Sequence, residues 1–278
     1  MTPEPTLTYV YAVVVPTGEL GDIVAGLRGV AGAPVTLLVA DAPGADQAAP
    51  AFVTSQVPDA DWREDALKSH FEDLAWLEDT ARSHHHVIQG LMDHTTVLPL
   101  RMATLYQDSD RALAALREQH RIFAERLALL AHHTEYGVKA YVRPDSDVPA
   151  PDSAPAASPG KAYLQARKAQ HHAREDRYRQ ARQAAERIAA TAAQHATHVV
   201  RHPTQTGPLT RSDSGENVLN EAYLVPEDQA DTFRAAIQQA GEDLPGIHIE
   251  ITGPWAPYSF AMPPPQPTGT ADEPGARP

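Results

Sequence analysis

Consecutive histidines are the residues of this sequence whose type and spacing most readily suggest chemistry. His84, His85 and His86 form one run, and imidazole is the commonest metal ligand in proteins. On a helix, however, neighbouring side chains point about 100° apart, so three in a row cannot converge on one ion. His84 also shares a helical face with apolar residues, namely Leu77, Ala81, Ile88 and Leu91. We therefore predict a hydrogen-bonded histidine at the edge of the core rather than a metal site.

Other arrangements that carry catalysis are missing from the sequence. His195 and His198 are spaced i,i+3, which leaves a weak metal pair as an alternative. There is no glycine-rich phosphate loop, no GxSxG elbow and no paired carboxylates, and nothing places a base beside a nucleophile. The absence of cysteine excludes thiolate catalysis, disulfides and cysteine-based zinc sites. We predict no enzymatic activity, no cofactor and no metal.

Composition narrows the class of protein further. The chain has 278 residues, 42% of them hydrophobic, and a formal net charge of −13, which suits a globular protein of about two domains. No window approaches the roughly 18 apolar residues of a membrane span, and the start of the chain lacks the pattern of a secretory leader. We expect a cytoplasmic protein whose acidic surface repels nucleic acid.

One element carries the opposite charge. Residues 160–199 are predicted as a single long helix because they lack proline and contain no glycine after Gly160. Residues 161–201 contain nine basic and three acidic residues. The basic residues include Arg167, Arg174, Arg177 and Arg182. The helix is either a solvated surface or a docking surface for an acidic or phosphate-bearing partner. RNA binding stays a weaker alternative, since the helix lacks the aromatic residues that stack on bases.

The predicted elements are ordered β-α-β-β-α-β twice, which indicates an α+β fold of two domains. Residues 1–106 form a smaller α+β domain, and residues 107–262 form a ferredoxin-like domain with an extended crossover helix, 160–199. A bridging helix, 108–131, carries an apolar seam, and the long helix either pairs with this seam or projects as an arm. We also expect a helix break near Ser83 and His84, and a disordered proline-rich tail at 263–278.

Three stretches contain combinations of residues that are more specific than core packing alone requires. The first is an apolar strand that ends on Arg101, and the second begins the basic helix with a segment that includes Tyr163. In the third, two prolines hold Trp255, Tyr258 and Phe260 in an extended turn. This turn is either an aromatic plug that folds back over the sheet or an exposed adhesive patch.

These stretches resemble the gas vesicle protein family GvpL/GvpF from the opening strand to Ala261. The matching motifs are His-x-x-Val at 84–87, Val-Leu-Pro-Leu-Arg at 97–101, Gly-x-Ala-Tyr-Leu-x-x-Arg at 160–167 and Asn-x-Ala-Tyr-Leu-Val at 220–225. The Gly-Pro-Trp-Pro-Pro-Tyr-Ser-Phe signature is present with Ala256 in place of the proline after tryptophan, and Met102-Ala103 replaces the family's Phe-Gly. Each motif alone is weak, but five in order are specific.

The resemblance implies an accessory or minor structural protein without enzymatic activity that helps the shell protein GvpA to nucleate and assemble. Its implied partners are GvpA and other Gvp proteins, with self-association possible. The candidate partner-binding residues come from the three stretches and the basic helix: Arg101, Tyr163, Arg167, Arg174, Arg177, Arg182, Trp255, Tyr258 and Phe260. A ferredoxin-like regulatory module that binds a small ligand is the competing class.

Overall fold

The structure is a computed structural model. It describes residues 4–40, 49–142, 159–204, 215–242, 244 and 246–261. The predicted tail at 263–278 lies outside the described residues, as do the side chains of Tyr163, Arg174 and Arg177.

The first half of the chain builds a five-stranded antiparallel sheet in which the central strand has neighbours on both sides. Its strands are β1 (Thr6–Val14), β2 (Thr36–Val39), β3 (Ala51–Pro58), β4 (Val97–Pro99) and β5 (Leu105–Tyr106). Its helices are α1 (Leu20–Gly26), α2 (Asp59–Trp62), α3 (Glu64–His70) and α4 (Leu74–Met92). The order is β2-β3-β1-β4, with β5 also pairing with β1. β1 is a nearly continuous apolar run because both of its faces are buried. β4 lies at an edge, which suits Pro99 because proline has no N–H to donate to a further strand.

The second half of the chain builds a four-stranded antiparallel sheet. Two helices, α5 (Ser109–Glu118) and α6 (His120–Leu130), lead into it. The strands are β6 (His133–Val142), β7 (His198–Arg201), β8 (Glu216–Pro226) and β9 (Ile247–Trp255), in the order β7-β8-β6-β9. The helices are α7 (Pro159–Ala193), α8 (Ala230–Glu242) and the short α9 (Tyr258–Ala261).

Three buried clusters stack these elements into layers. In the first cluster, α1 and α4 cover one face of the first sheet around Tyr9. The second lies between the sheets, where α5 and α6 meet Phe52 of the first sheet and Leu224 of the second. In the third, α7 and α8 cover the far face of the second sheet around Ile188 and Tyr223. The second cluster takes residues from both sides of position 106, and the division into two domains stays a prediction.

The predicted bridging helix 108–131 is wrong as a single helix. The chain breaks at Gln119, which has φ −97° and ψ 8° and separates α5 from α6. α5 lies against β2 and β5, whereas α6 lies against β4. The change of direction at Gln119 lets the apolar faces of α5 and α6 both stay in contact with the first sheet. The Leu113–Leu130 seam therefore packs between the sheets.

The long helix is present but ends at Ala193 rather than at residue 199. Gln194 and His195 form tight final-turn bonds to Thr191 and Ala192, and Thr197 then donates to Leu224 O of β8. The residues that follow the helix therefore pair with the second sheet instead of continuing the helix. The buried side chains of α7 run from Ala181 to Ala192, and Ala185, Ile188 and Ala192 lie in the third cluster. The helix packs with α8 and β8. Upstream of Ala181, the described side chains of α7 are exposed.

The helix break predicted near Ser83 and His84 is wrong. α4 runs without interruption from Leu74 to Met92. The break lies earlier, where the Asp73 carboxylate accepts hydrogen bonds from Ala75 N and Trp76 N and caps the start of α4.

Candidate functional site

The strand β9 leads into a segment that contacts both halves of the molecule, which we call the C-terminal clasp (residues 253–261). It begins with Gly253, whose φ of +121° is a conformation that side chains disfavour. A Cβ on Gly253 would come within 2.8 Å of Glu135 O on β6. Glycine is therefore needed where the clasp leaves the sheet.

A buried carboxylate fastens the clasp to the second sheet. Ser259 donates to Glu135 through its backbone N–H at 2.8 Å and its hydroxyl at 2.7 Å. Burial raises the pKa of Glu135, and the two bonds from Ser259 oppose that effect. No local sequence pattern indicates this contact, because 124 residues separate its partners.

The structure corrects one expectation about catalysis. His202 Nε2 lies 3.2 Å from Ser259 Oγ, so a potential base does stand beside a hydroxyl. Because the Ser259 hydroxyl hydrogen goes to Glu135, the geometry has His202 donating to Ser259 Oγ. This arrangement stabilises the clasp and leaves the hydroxyl acting as a hydrogen-bond donor.

Apolar residues fasten the clasp to the first half. Ala256 is fully buried in the cluster around Tyr9, and Phe260 joins Leu98 in the cluster between the sheets. Phe260 is only 5% exposed, which corrects its prediction as a partner-binding residue. The helical turn α9 places it inward, as the plug alternative required.

Two aromatic residues of the clasp point outward. Trp255 is 41% exposed and Tyr258 is 38% exposed. Both face the His85 ring on α4, with ring centroids 5.8 Å and 6.4 Å away respectively. Burial, followed by the Glu135 charge, raises the pKa of Tyr258 to about 12, so its hydroxyl is neutral. We call His85, Trp255 and Tyr258 the aromatic patch.

A second network holds the turn that carries Arg101. His84 Nδ1 lies 2.8 Å from Tyr9 Oη, and its Nε2 lies 3.2 Å from Leu100 O. Since the Leu100 carbonyl only accepts, Nε2–H donates to it and the Tyr9 hydroxyl donates to Nδ1. Burial lowers the pKa of His84 to about 4. The predicted hydrogen-bonded histidine is confirmed, and it lies inside the core.

The turn after Arg101 has a left-handed residue. Ala103 has φ 61°, and its N–H donates to Tyr9 Oη at 3.1 Å. Thr104 closes the turn with backbone and hydroxyl bonds to Arg101 O. The Arg101 side chain is exposed beside this rigid turn. The tyrosine, the histidine and the turn thus form one unit.

The basic residues of α7 fall into two groups. Arg167 is exposed on the part of the helix that precedes the third cluster. Arg182 lines a cavity of about 720 Å³ between α7 and β8, where Arg201 forms a 2.9 Å ion pair with Glu221. Tyr163, Arg174 and Arg177 lie in the helix, but their side chains are outside the described residues. The structure therefore does not bring the nine predicted residues together in one site.

Neither a metal centre nor a membrane span is found in the part of the chain that the structure describes. Its His, Asp and Glu residues form no group of three or more that could hold an ion. Its helices include none with the length and apolar character needed to cross a bilayer.

The fold and the site define a class: an α+β protein with two antiparallel sheets, joined by a C-terminal clasp that presents an aromatic patch. The model of the family described as gas vesicle synthesis protein GvpL/GvpF matches residues 7–262. Gas vesicle protein L from Streptomyces sp. (strain CB03234) is 36% identical over 259 residues, which cover 92% of each chain. Gas vesicle protein F from the same strain is 30% identical over 174 residues, 59% of this chain and 69% of the relative.

Solved structures show the same fold. The crystal structure of GvpF from Anabaena sp. PCC7120 has a TM-score of 0.61 and 19% identity, and the match covers 93% of this chain and 97% of that one. GvpF from Microcystis aeruginosa gives a TM-score of 0.59 and 17% identity, with 92% and 99% covered. The chain belongs to the gas vesicle GvpL/GvpF family.

Proposed function

We propose that this protein is an accessory or minor structural component of the gas vesicle that helps the shell to nucleate and assemble. It does so by binding the shell protein GvpA and other Gvp proteins in the cytoplasm. Its membership of the GvpL/GvpF family supports the association with gas vesicles. We propose binding rather than catalysis as its mode of action.

The observation that carries this proposal is the aromatic patch. Exposed tryptophan and tyrosine side chains are favoured at binding surfaces because they bury a large area at a low cost in conformational entropy. Here they project from a segment that Ser259, Ala256 and Phe260 hold in place. The backbone beneath Trp255 and Tyr258 is therefore already ordered before a partner binds, which lowers the entropic cost of association.

A second contact is proposed along the long helix. A shell subunit that is hydrophobic and prone to aggregate needs a soluble partner with apolar and charged docking surfaces. The basic residues of α7, including Arg174, Arg177 and Arg182, contrast in charge with the rest of the chain. Arg101 is proposed to extend the patch, since its turn is tied to α4 through His84, the neighbour of His85.

The proposal is tested by a pull-down with the shell protein GvpA. The double variant Trp255→Ala/Tyr258→Ala is expected to retain roughly a tenth or less of the wild-type capture, because the aromatic anchors dominate such contacts. The matched control is Ile122→Ala, which removes an exposed apolar side chain of α6 that is not part of the aromatic patch and should leave capture unchanged.

A triple change of Arg174, Arg177 and Arg182 to Glu tests the helix in the same assay. Wild-type capture by the triple variant would remove α7 from the proposal, and wild-type capture by the patch variant would remove the aromatic patch. If neither change matters, the binding mode proposed here is wrong, although the family membership would stand.

We also propose that each sheet with its two covering helices is a ferredoxin-like unit. The support is the strand order, in which the second and fourth strands of each unit occupy the edges: β2-β3-β1-β4 in the first and β7-β8-β6-β9 in the second.

A further inference from the structure

The two outer layers of the molecule contain stretches of opposite net charge. On the outside of the first sheet, residues 59–82, which span α2, α3 and the start of α4, contain eight acidic and three basic residues. We call this stretch the acidic face. On the outside of the second sheet, α7 contains eight basic and three acidic residues. Two layers of nearly equal and opposite charge therefore occupy opposite ends of the same molecule.

The acidic face also exposes apolar side chains. Leu74 is 80% exposed and Phe71 is 46% exposed, at the turn between α3 and α4. Phe71 lies edge-on to Trp76 at 6.1 Å, so the turn is held rigidly. The same stretch exposes carboxylates before, within and after the turn in sequence, namely Asp61, Asp65, Glu72 and Asp79. An apolar protrusion with a negative rim is a surface that fits an amphipathic, positively charged helix.

The basic helix has the complementary character. Arg167 and Lys168 are exposed, as are His171, His172 and Tyr178 further along the same helix. Long basic side chains cover apolar surface with their aliphatic stems while their charged heads reach carboxylates at the rim. α7 can therefore accept Phe71 and Leu74 between its basic side chains.

The two surfaces cannot meet within one molecule. α4 packs on the outer face of the first sheet and α7 on the outer face of the second, with both sheets and the α5–α6 layer between them. They can meet only between copies. The contact joins two different surfaces, so a pair of copies keeps one free acidic face and one free α7 surface. The assembly therefore continues instead of closing as a dimer.

We infer that copies of this chain associate head to tail, the acidic face of one copy binding the exposed basic part of α7 of the next. α7 is also proposed to contact the shell protein, but the contact between copies involves the acidic face as well and is tested without the shell protein. Ion pairs at an exposed interface weaken with salt, since the Debye length falls from about 10 Å at 0.1 M to about 3 Å at 1 M ionic strength.

The first measurement is the weight-average mass of the full chain by sedimentation velocity. The mass should rise steadily with protein concentration at low salt and return to that of one chain at high salt. One mass at all concentrations would overturn the inference. A species that stops at two copies would overturn the head-to-tail arrangement.

Two double variants then test the surfaces: Glu72→Lys/Asp79→Lys on the acidic face and Arg167→Glu/Lys168→Glu on α7. Each should raise the concentration needed for association by roughly tenfold or more, because like charges then face each other. Arg117→Glu/Arg121→Glu on α5 and α6 is the matched control and should associate as the wild type does. All six side chains are exposed, so thermal melts should show unchanged folding.

Mixing the two double variants gives the decisive result. The reversed acidic face of one is positive and the reversed helix of the other is negative, so an equimolar mixture should recover association that neither variant shows alone. Association that survives both reversals, or a mixture that stays monomeric, would show that the contact lies elsewhere.

Discussion

Ala103 is the residue at which this chain departs most informatively from its family's pattern. The family's glycine is replaced by alanine, yet the backbone keeps φ 61°. The left-handed region costs a residue with a Cβ about 1–2 kcal/mol relative to glycine. The turn persists because Ala103 N–H bonds to Tyr9 Oη and because Thr104 closes onto Arg101 O. The departure therefore stores strain without changing the geometry that presents Arg101.

Restoring glycine at this position should stabilise the protein. We expect Ala103→Gly to raise the free energy of unfolding by about 0.5–1 kcal/mol, the relief of strain less the extra entropy of glycine in the unfolded chain. Urea denaturation measures the change. The same substitution at Ala114, exposed within α5, should instead lower stability by about 1 kcal/mol. Equal losses at both positions would show that the turn is not strained.

His84 makes stability depend on pH. Its pKa is about 4 in the folded state because of burial, against an ordinary value near 6.5. Between these values the unfolded chain binds a proton that the folded chain does not, so stability falls as pH falls from about 6.5 to about 4. The loss from this residue should reach about 2 kcal/mol at pH 5, at 1.36 kcal/mol for each pKa unit.

Substitution separates His84 from the other histidines. His84→Gln should be less stable at pH 7, because Leu100 O and Tyr9 Oη lose their partner, but its loss between pH 7 and pH 5 should be about 2 kcal/mol smaller than in the wild type. His86→Gln, an exposed neighbour, is the control and should follow the wild-type curve. Parallel curves for His84→Gln and the wild type would show that His84 is protonated equally in both states.

At the scale of elements, the local sequence pattern predicts the strands and helices whose formation depends on local sequence. The run of β-branched and aromatic residues at 7–15 predicts a strand, and β1 lies at Thr6–Val14 with most of its residues buried. Helix ends were predicted less well. The cap at Asp73 is a local bond that an Asp before an apolar run indicates. The break at Gln119 depends on which strands α5 and α6 meet, and periodicity carries no such information. β5 was missed because two residues are too short to show a pattern.

The clasp shows why the candidate site was only partly predictable. Its composition indicated either a buried plug or an exposed patch, and the structure contains both. Ala256 and Phe260 are buried while Trp255 and Tyr258 are exposed, and the helical turn α9 places Tyr258 and Phe260 on different sides. Glu135, which fixes the segment, lies in another strand far away in sequence. No local signal could have selected it.

At the scale of the whole molecule, the shared cluster couples the two sheets. Phe52 and Leu98 of the first sheet contact the same buried cluster as Ala222 and Leu224 of the second. Separating the halves would expose this apolar surface to water at roughly 25 cal/mol for each Å². The sheets should therefore unfold together, even though each has its own outer cluster.

Hydrogen exchange with a pair of reciprocal substitutions tests this coupling. Phe233→Ala removes a ring from the cluster outside the second sheet, and Leu20→Ala removes a side chain from the cluster outside the first. Each should cost about 2–5 kcal/mol. If the molecule unfolds as one unit, the slowest amides of β1 and of β8 will lose the same protection in both variants. If each substitution loosens only its own sheet, residues 1–106 and 107–262 are independent domains, and the clasp alone transmits a partner's binding from one to the other.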